Sequence, residues 1–159
     1  MNSAIAQKLG VKIIMRFTII GALIAIFLIS LLFSTKGIEY AFEWITKIST
    51  PLIFGLFGLL LGSYIAGRMA GFMIFKKHNA VVWGIVSAIT VVWISVLTSS
   101  IYLVIYEIFQ SPFSIEELIE DYLFKPLYWI SLIGSFPIIL LGTFYGIKLK
   151  NKMDAILKN

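Results

Sequence analysis

The sequence predicts an all-α membrane protein, with four transmembrane helices and two short outer interfacial amphipathic helices. A tandem two-span repeat is one reading of its pattern. Three observations lead there. The first is apolar length. Runs at Phe17–Phe33, Pro51–Phe75, Ala80–Ile108 and Leu127–Ile147 each hold at least 17 residues. Such lengths suit a hydrocarbon core about 30 Å thick at about 1.5 Å per helical residue. The second is composition. The chain is 60% hydrophobic with a mean hydropathy of +0.98, whereas soluble domains are about 45–50% apolar. The third is the sorting of charge between the segments that join the runs. Spans at about 13–33, 51–75, 80–108 and 127–147 leave little of the 159 residues for anything else. The expectation is one polytopic membrane domain, 1–159.

One set of segments carries Lys8, Lys12, Arg16, Arg68, Lys76, Lys77, Lys148, Lys150, Lys152 and Lys158 against the single acid Asp154. The alternate set carries Lys36, Lys47 and Lys125 against seven acids. Lys and Arg concentrate on the cytoplasmic side of membrane proteins. Both termini and the 76–79 loop are therefore expected in the cytoplasm. The Ile-, Phe- and Lys-rich wording suits a bacterial plasma membrane. The net charge of +5 flanks spans and forms no polar face, so no nucleic-acid partner is expected.

The first span follows a basic flank, but its apolar stretch outruns a signal-peptide core, and Ser34-Thr35-Lys36-Gly37 is no small-x-small cleavage site. It reads as a retained anchor. The first outer loop places Ile38, Ala41, Phe42 and Ile45 on one face, Glu39 and Glu43 on another, with Tyr40 and Trp44 suited to the interfacial belt. The second outer loop carries Ser114-x-x-Glu117, a capping box, with Phe113 and Leu118 positioned as a hydrophobic staple. Ile115, Leu118, Ile119, Tyr122 and Leu123 form one apolar stripe. The pattern predicts a helix lying in the interface, apolar face down. Glu116, Glu117, Glu120 and Asp121 lie mostly opposite. They read either as a solvated face or as an outer cation or peptide contact.

The second span is rich in small residues, with Gly58-x-x-x-Gly62 and Gly67-x-x-x-Gly71 at helical spacing. Small residues let helix backbones approach where no hydrophobic force drives association. A helix-packing face is expected, in the same chain or another. An offset of 75 aligns Pro51-Leu52 with Pro126-Leu127, Gly67 with Gly142 and Gly71 with Gly146. That offset suggests two parallel halves, with chance likeness among apolar residues as the alternative.

The third span puts Gly84, Ser87, Thr90, Ser95 and Thr98 within an arc of about 140°. The hydroxyls of Ser87, Thr90, Ser95 and Thr98 line a path, bond across helices, or bond back to their own helix. At 29 residues this span must tilt, kink or protrude. Pro137 in the fourth span frees the Ile133 carbonyl and predicts a kink, for packing or for ion binding. Arg68 is the one charge clearly within a span. It snorkels to the headgroups, or it is an anion, lipid or partner contact.

Cysteine is absent, and the single His78 lies in a loop beside Lys76 and Lys77. Disulfides, thiolate metal sites, cysteine nucleophiles and bis-histidine haem are excluded, and no cofactor or metal is expected. No carboxylate lies deep in a span, so a proton-coupled pump lacks its usual group. Nucleotide-binding, serine-hydrolase and zinc-protease motifs are missing, and catalysis is not expected. Three functions stay open. One is a non-enzymatic membrane subunit acting through helix–helix association with itself or a larger complex. Another is a small oligomeric channel or transporter for an ion or small solute. The third is an immunity or sensor protein that recognises an extracellular peptide through its acidic helices.

Overall fold

The computed structural model describes residues 2–34, 38–109 and 114–158, with the side chains of 25–49, 133 and 158 outside that description. The expected Phe113 staple, the Ser34–Gly37 junction and the side-chain pattern of the first outer loop therefore lie outside the described residues. Every element is helical: α1 (Ser3–Ser34), α2 (Ile38–Phe75), α3 (Ala80–Ile108), α4 (Ile115–Ile119) and α5 (Lys125–Lys158), with a π-helical turn, Glu120–Phe124, between α4 and α5. Among the described residues two helices are long and apolar enough to cross a membrane, α2 from Thr50 and α3. A third joins them if the bent α4–α5 rod is one span.

The helix ends follow from local chemistry. Asn2 accepts from the Ile5 N–H at 3.0 Å and caps α1. Asn79 accepts from the Val81 and Val82 N–H groups at 3.0 and 3.4 Å and starts α3. Between α2 and α3 the chain reverses in a few residues. His78 N–H bonds to the Met73 carbonyl and Lys77 N–H to the Ile74 carbonyl, with Lys77 left-handed at φ 66. This is the closing motif that usually employs glycine. At Ser114 the capping box forms in both directions: Ser114 N–H donates to Glu117 Oε2 at 3.0 Å, and Glu117 N–H to Ser114 Oγ at 3.3 Å.

The two amphipathic segments differ from the expectation of short separate helices. Residues 38–50 run on into α2 through Pro51. Ile115 onward runs on into α5 through the π turn, where Lys125 N–H bonds five residues back to the Glu120 carbonyl. A π turn widens the helix just where the Pro126 ring would meet the carbonyl four residues before it. The sharp change of direction comes later. Ile115–Leu132 and Gly134–Leu157 meet at 64°, at the position whose carbonyl Pro137 leaves without a donor. The predicted 127–147 span is thus bent near its middle.

The apolar stripe of the acidic segment divides: Ile115 is 62% exposed, while the rest turns toward α3. Leu118 is 2% exposed, and Ile119, Tyr122 and Leu123 are half-buried, because α4 and the π turn pack on the end of α3. The 29-residue α3 is long enough to offer that surface.

In space α2 lies between α1 and α3, and α3 lies between α2 and α5. The four long helices converge at the end that carries both termini and most Lys and Arg. Ala6, Ile13, Ile14, Ala66, Ala70, Ile74, Ala80, Tyr145, Leu149 and Met153 form the core there. The exterior is apolar: Leu23 is 61% exposed, Ile53 63%, Phe57 60% and Phe136 75%. An apolar surface on this scale is what a lipid-solvated protein presents.

Candidate helix seams and the basic end

The glycines of α2 serve two neighbours. Gly58 and Gly62 face α3. A Cβ on Gly58 would lie 2.7 Å from the Ser95 Cα, and one on Gly62 3.0 Å from the Val91 Cα. Gly67 and Gly71 face α1. A Cβ on Gly67 would lie 2.6 Å from the Val11 Cα, and one on Gly71 2.8 Å from the Gln7 Cα. Both small-residue pairs therefore meet partners within the chain. The glycines of α5 meet α3: Gly142 would carry a Cβ 2.7 Å from the Ile85 Cα, and Gly146 one 3.2 Å from the Gly84 Cα.

The two hairpins use corresponding contacts. Gly71 meets the Ala6 carbonyl, and Gly146, 75 residues on, meets the Ala80 carbonyl. Gly10 abuts Gly67 and Gly71, and Gly84 abuts Gly142 and Gly146. Ala6-x-x-x-Gly10 and Ala80-x-x-x-Gly84 are themselves small-residue pairs. That signal stands in the sequence, but sequence reasoning passed over both pairs: the first precedes the apolar run, and Gly84 was grouped with the hydroxyls of the third span.

The hydroxyls of α3 divide. Ser87 donates to the Ala66 carbonyl at 3.3 Å and to its own Trp83 carbonyl at 2.7 Å. Ser95 donates to the Gly55 carbonyl at 2.7 Å, and Ser99, not singled out from sequence, to the Pro51 carbonyl at 2.9 Å. Together they form a polar seam along α2. Thr90 and Thr98 instead bond back to Val86 and Ile94 in α3 itself. Ser63, fully buried, meets Thr18 of α1 at 2.8 Å, and the buried Tyr145 hydroxyl reaches the Gly10 carbonyl at 3.4 Å.

Arg68 is exposed, and α1 supplies one of its partners. Its Nε donates to Gln7 Oε1 at 3.0 Å and its Nη1 to the Tyr64 hydroxyl at 3.2 Å. It is therefore level with Gln7, nine residues before Arg16, in a layer that also holds Lys8 and Lys12. Length along α2 alone placed it inside the span. The antiparallel partner helix adds that its side chain reaches Gln7 of α1, while Arg68 remains within the apolar stretch Thr50–Phe75.

Of the acidic group, Glu117 is engaged in the capping box, while Glu120 and Asp121 pair with Lys125, Glu120 at 3.8 Å. Glu116 is exposed. Tyr122 lies near Glu107 at the end of α3. Partial burial, then the charges of Glu107 and Asp121, raise its pKa above the usual phenol value. At the basic end an open cavity of about 920 Å³ separates the α2–α3 turn from the last turns of α5. Lys77, His78, Lys150 and Asp154 line it with Ile147 and Met153. Among the described residues no group of three metal-ligating side chains comes together.

No known protein family, curated protein or solved structure matches the chain.

Proposed function

We infer that this chain is a four-span, non-enzymatic integral membrane subunit or accessory protein that acts through helix–helix association with itself or a larger membrane complex. The termini and the 76–79 turn face the cytoplasm of a bacterial plasma membrane in this reading. The observation that carries it is the polar seam between α2 and α3. Ser87, Ser95 and Ser99 are engaged with backbone carbonyls of α2, so their O–H donors are spent on the helix interface rather than on a water-filled path. The polar atoms of the interior thus hold the bundle together, and the apolar outer faces are left to meet lipid or other helices.

The same reading includes a tandem duplication. The correspondence of Ala6, Gly10, Gly67 and Gly71 with Ala80, Gly84, Gly142 and Gly146 supports two hairpins of equal topology, related by an axis along the membrane normal. The channel or transporter alternative keeps only Pro137 and the duplication in its favour. The peptide-recognition alternative keeps Glu116, since its other three acids have partners.

Two measurements test this. Copurification from membranes in mild detergent should yield a complex or homo-oligomer; a lone monomer would reject association. Reconstituted vesicles should show no solute flux, and flux abolished by Ser95→Ala would replace this reading with transport. The chain lacks cysteine, so Asn151→Cys and Glu116→Cys report topology singly. An impermeant thiol reagent on intact cells should label the second and spare the first.

A further inference from the structure

The geometry points to a lipid-phosphate seat built from Arg68, Gln7 and Tyr64, which holds one anionic phospholipid headgroup at the basic end of the α1–α2 pair. It rests on the proposed membrane setting, though not on which way the chain is oriented.

A guanidinium has five N–H donors and no acceptor. Arg68 uses two of them, one toward Gln7 and one toward Tyr64. Three remain. Both partners are neutral, and no carboxylate pairs with Arg68 among the described residues. The contacts also fix what the partners can still offer. Gln7 must turn its carbonyl oxygen toward an arginine that only donates, so its amide NH₂ remains free to donate. Tyr64 accepts through its hydroxyl oxygen, so its own O–H remains free as well. The cluster therefore offers an anion several donors, a cation flanked by two further hydrogen-bond donors. Such a site is complementary to an anion with several acceptor oxygens, and a guanidinium fork matches phosphate oxygens two at a time.

Position selects the lipid over a soluble anion. Arg68 and Tyr64 lie on the exposed side of α2 with Leu61, Ile65 and Met69, exposed by 40%, 41% and 39%. A headgroup phosphate on the donors would lay its acyl chains along these residues. Tyr64 also stacks beneath the guanidinium at 5.6 Å, which holds the fork in place without neutralising it.

The experiment is native mass spectrometry of the full chain in detergent, titrated separately with phosphatidylglycerol, phosphatidylcholine and inorganic phosphate. The wild type should retain one phosphatidylglycerol about tenfold more tightly than phosphatidylcholine. Arg68→Gln should erase that preference. Gln7→Met and Tyr64→Phe should each weaken it several-fold, and Lys12→Gln should leave it. Should Arg68→Gln fail to fold, Arg68→Lys decides, since it keeps the charge and loses the fork; retention must still fall. Unchanged retention in Arg68→Gln or Arg68→Lys would overturn the seat. So would a loss in Lys12→Gln as large as that in Arg68→Gln, which would mean diffuse charge attraction. Inorganic phosphate binding as tightly as phosphatidylglycerol would overturn the lipid assignment. Because the assay is done in detergent, its failure leaves the topology and association tests untouched.

Discussion

Gly67 of α2 and Val11 of α1 approach so closely that a Cβ on the glycine would lie 2.6 Å from the Val11 Cα. The equivalent pair in the other hairpin, Gly142 and Ile85, leaves 2.7 Å. In both cases the obstacle is backbone, which cannot swing aside as a side chain can. Gly67→Ala and Gly142→Ala should each push a helix pair apart and destabilise the protein by about 1–3 kcal/mol. Gly21→Ala is the control. Among the described residues its Cβ would meet only Leu141 Cδ1 at 3.5 Å, and replacing a helical glycine by alanine then stabilises by about 0.5–1 kcal/mol. Thermal unfolding in detergent should separate the two classes.

The α2–α3 seam predicts a division among hydroxyl deletions. Ser95→Ala removes the donor to the Gly55 carbonyl and should cost about 0.6–1.7 kcal/mol, the range for hydrogen bonds between membrane helices. Thr98→Val removes only bonds to Ile94 and Ser95 of its own helix and should cost less. Equal losses from the two substitutions would reject the seam as a source of interhelical stability.

Lys77 holds a left-handed conformation that costs an ordinary residue about 1–2 kcal/mol. Lys77→Gly relieves that cost but loosens the unfolded chain. The net expectation is a gain of up to about 1 kcal/mol, read as a higher Tm. A fall in Tm would mean that the side chain contributes something that the turn geometry does not.

The docking of the acidic segment on α3 predicts a pH dependence. Folding raises the pKa of Tyr122, so the folded state holds the phenolic proton more tightly than the unfolded chain. The contribution is complete below the ordinary tyrosine pKa and is lost as pH rises through the higher folded value. Tyrosine NMR signals should show Tyr122 ionising later than a free phenol. Glu107→Gln should move it back toward the ordinary value, since it removes a neighbouring negative charge. An unmoved titration would reject the Glu107 contact.

The capping box at Ser114 was legible because it needs only residues three apart, and the kink in α5 because proline acts on its own carbonyl four residues back. The π turn was not legible, since nothing in Glu120–Phe124 marks a widened helix; it arises where the acidic helix joins Pro126 while packed on α3. The seat around Arg68 was half legible. The lone charge stood out, but Gln7 lies 61 residues away and joins it only through the antiparallel packing of α1 on α2.

Read alone, the sequence determined what depends on neighbours along the chain: helix everywhere, apolar length, charge sorted by side, caps, turns and the glycine spacing. Only the tertiary structure decided which surface each of those features meets. A glycine reports that something can come close, and a serine that something can accept its proton, but neither names the partner. Partner choice depends on how whole helix faces fit together. That is why Gly58 and Gly62 meet α3 while Gly67 and Gly71, a turn further on, meet α1.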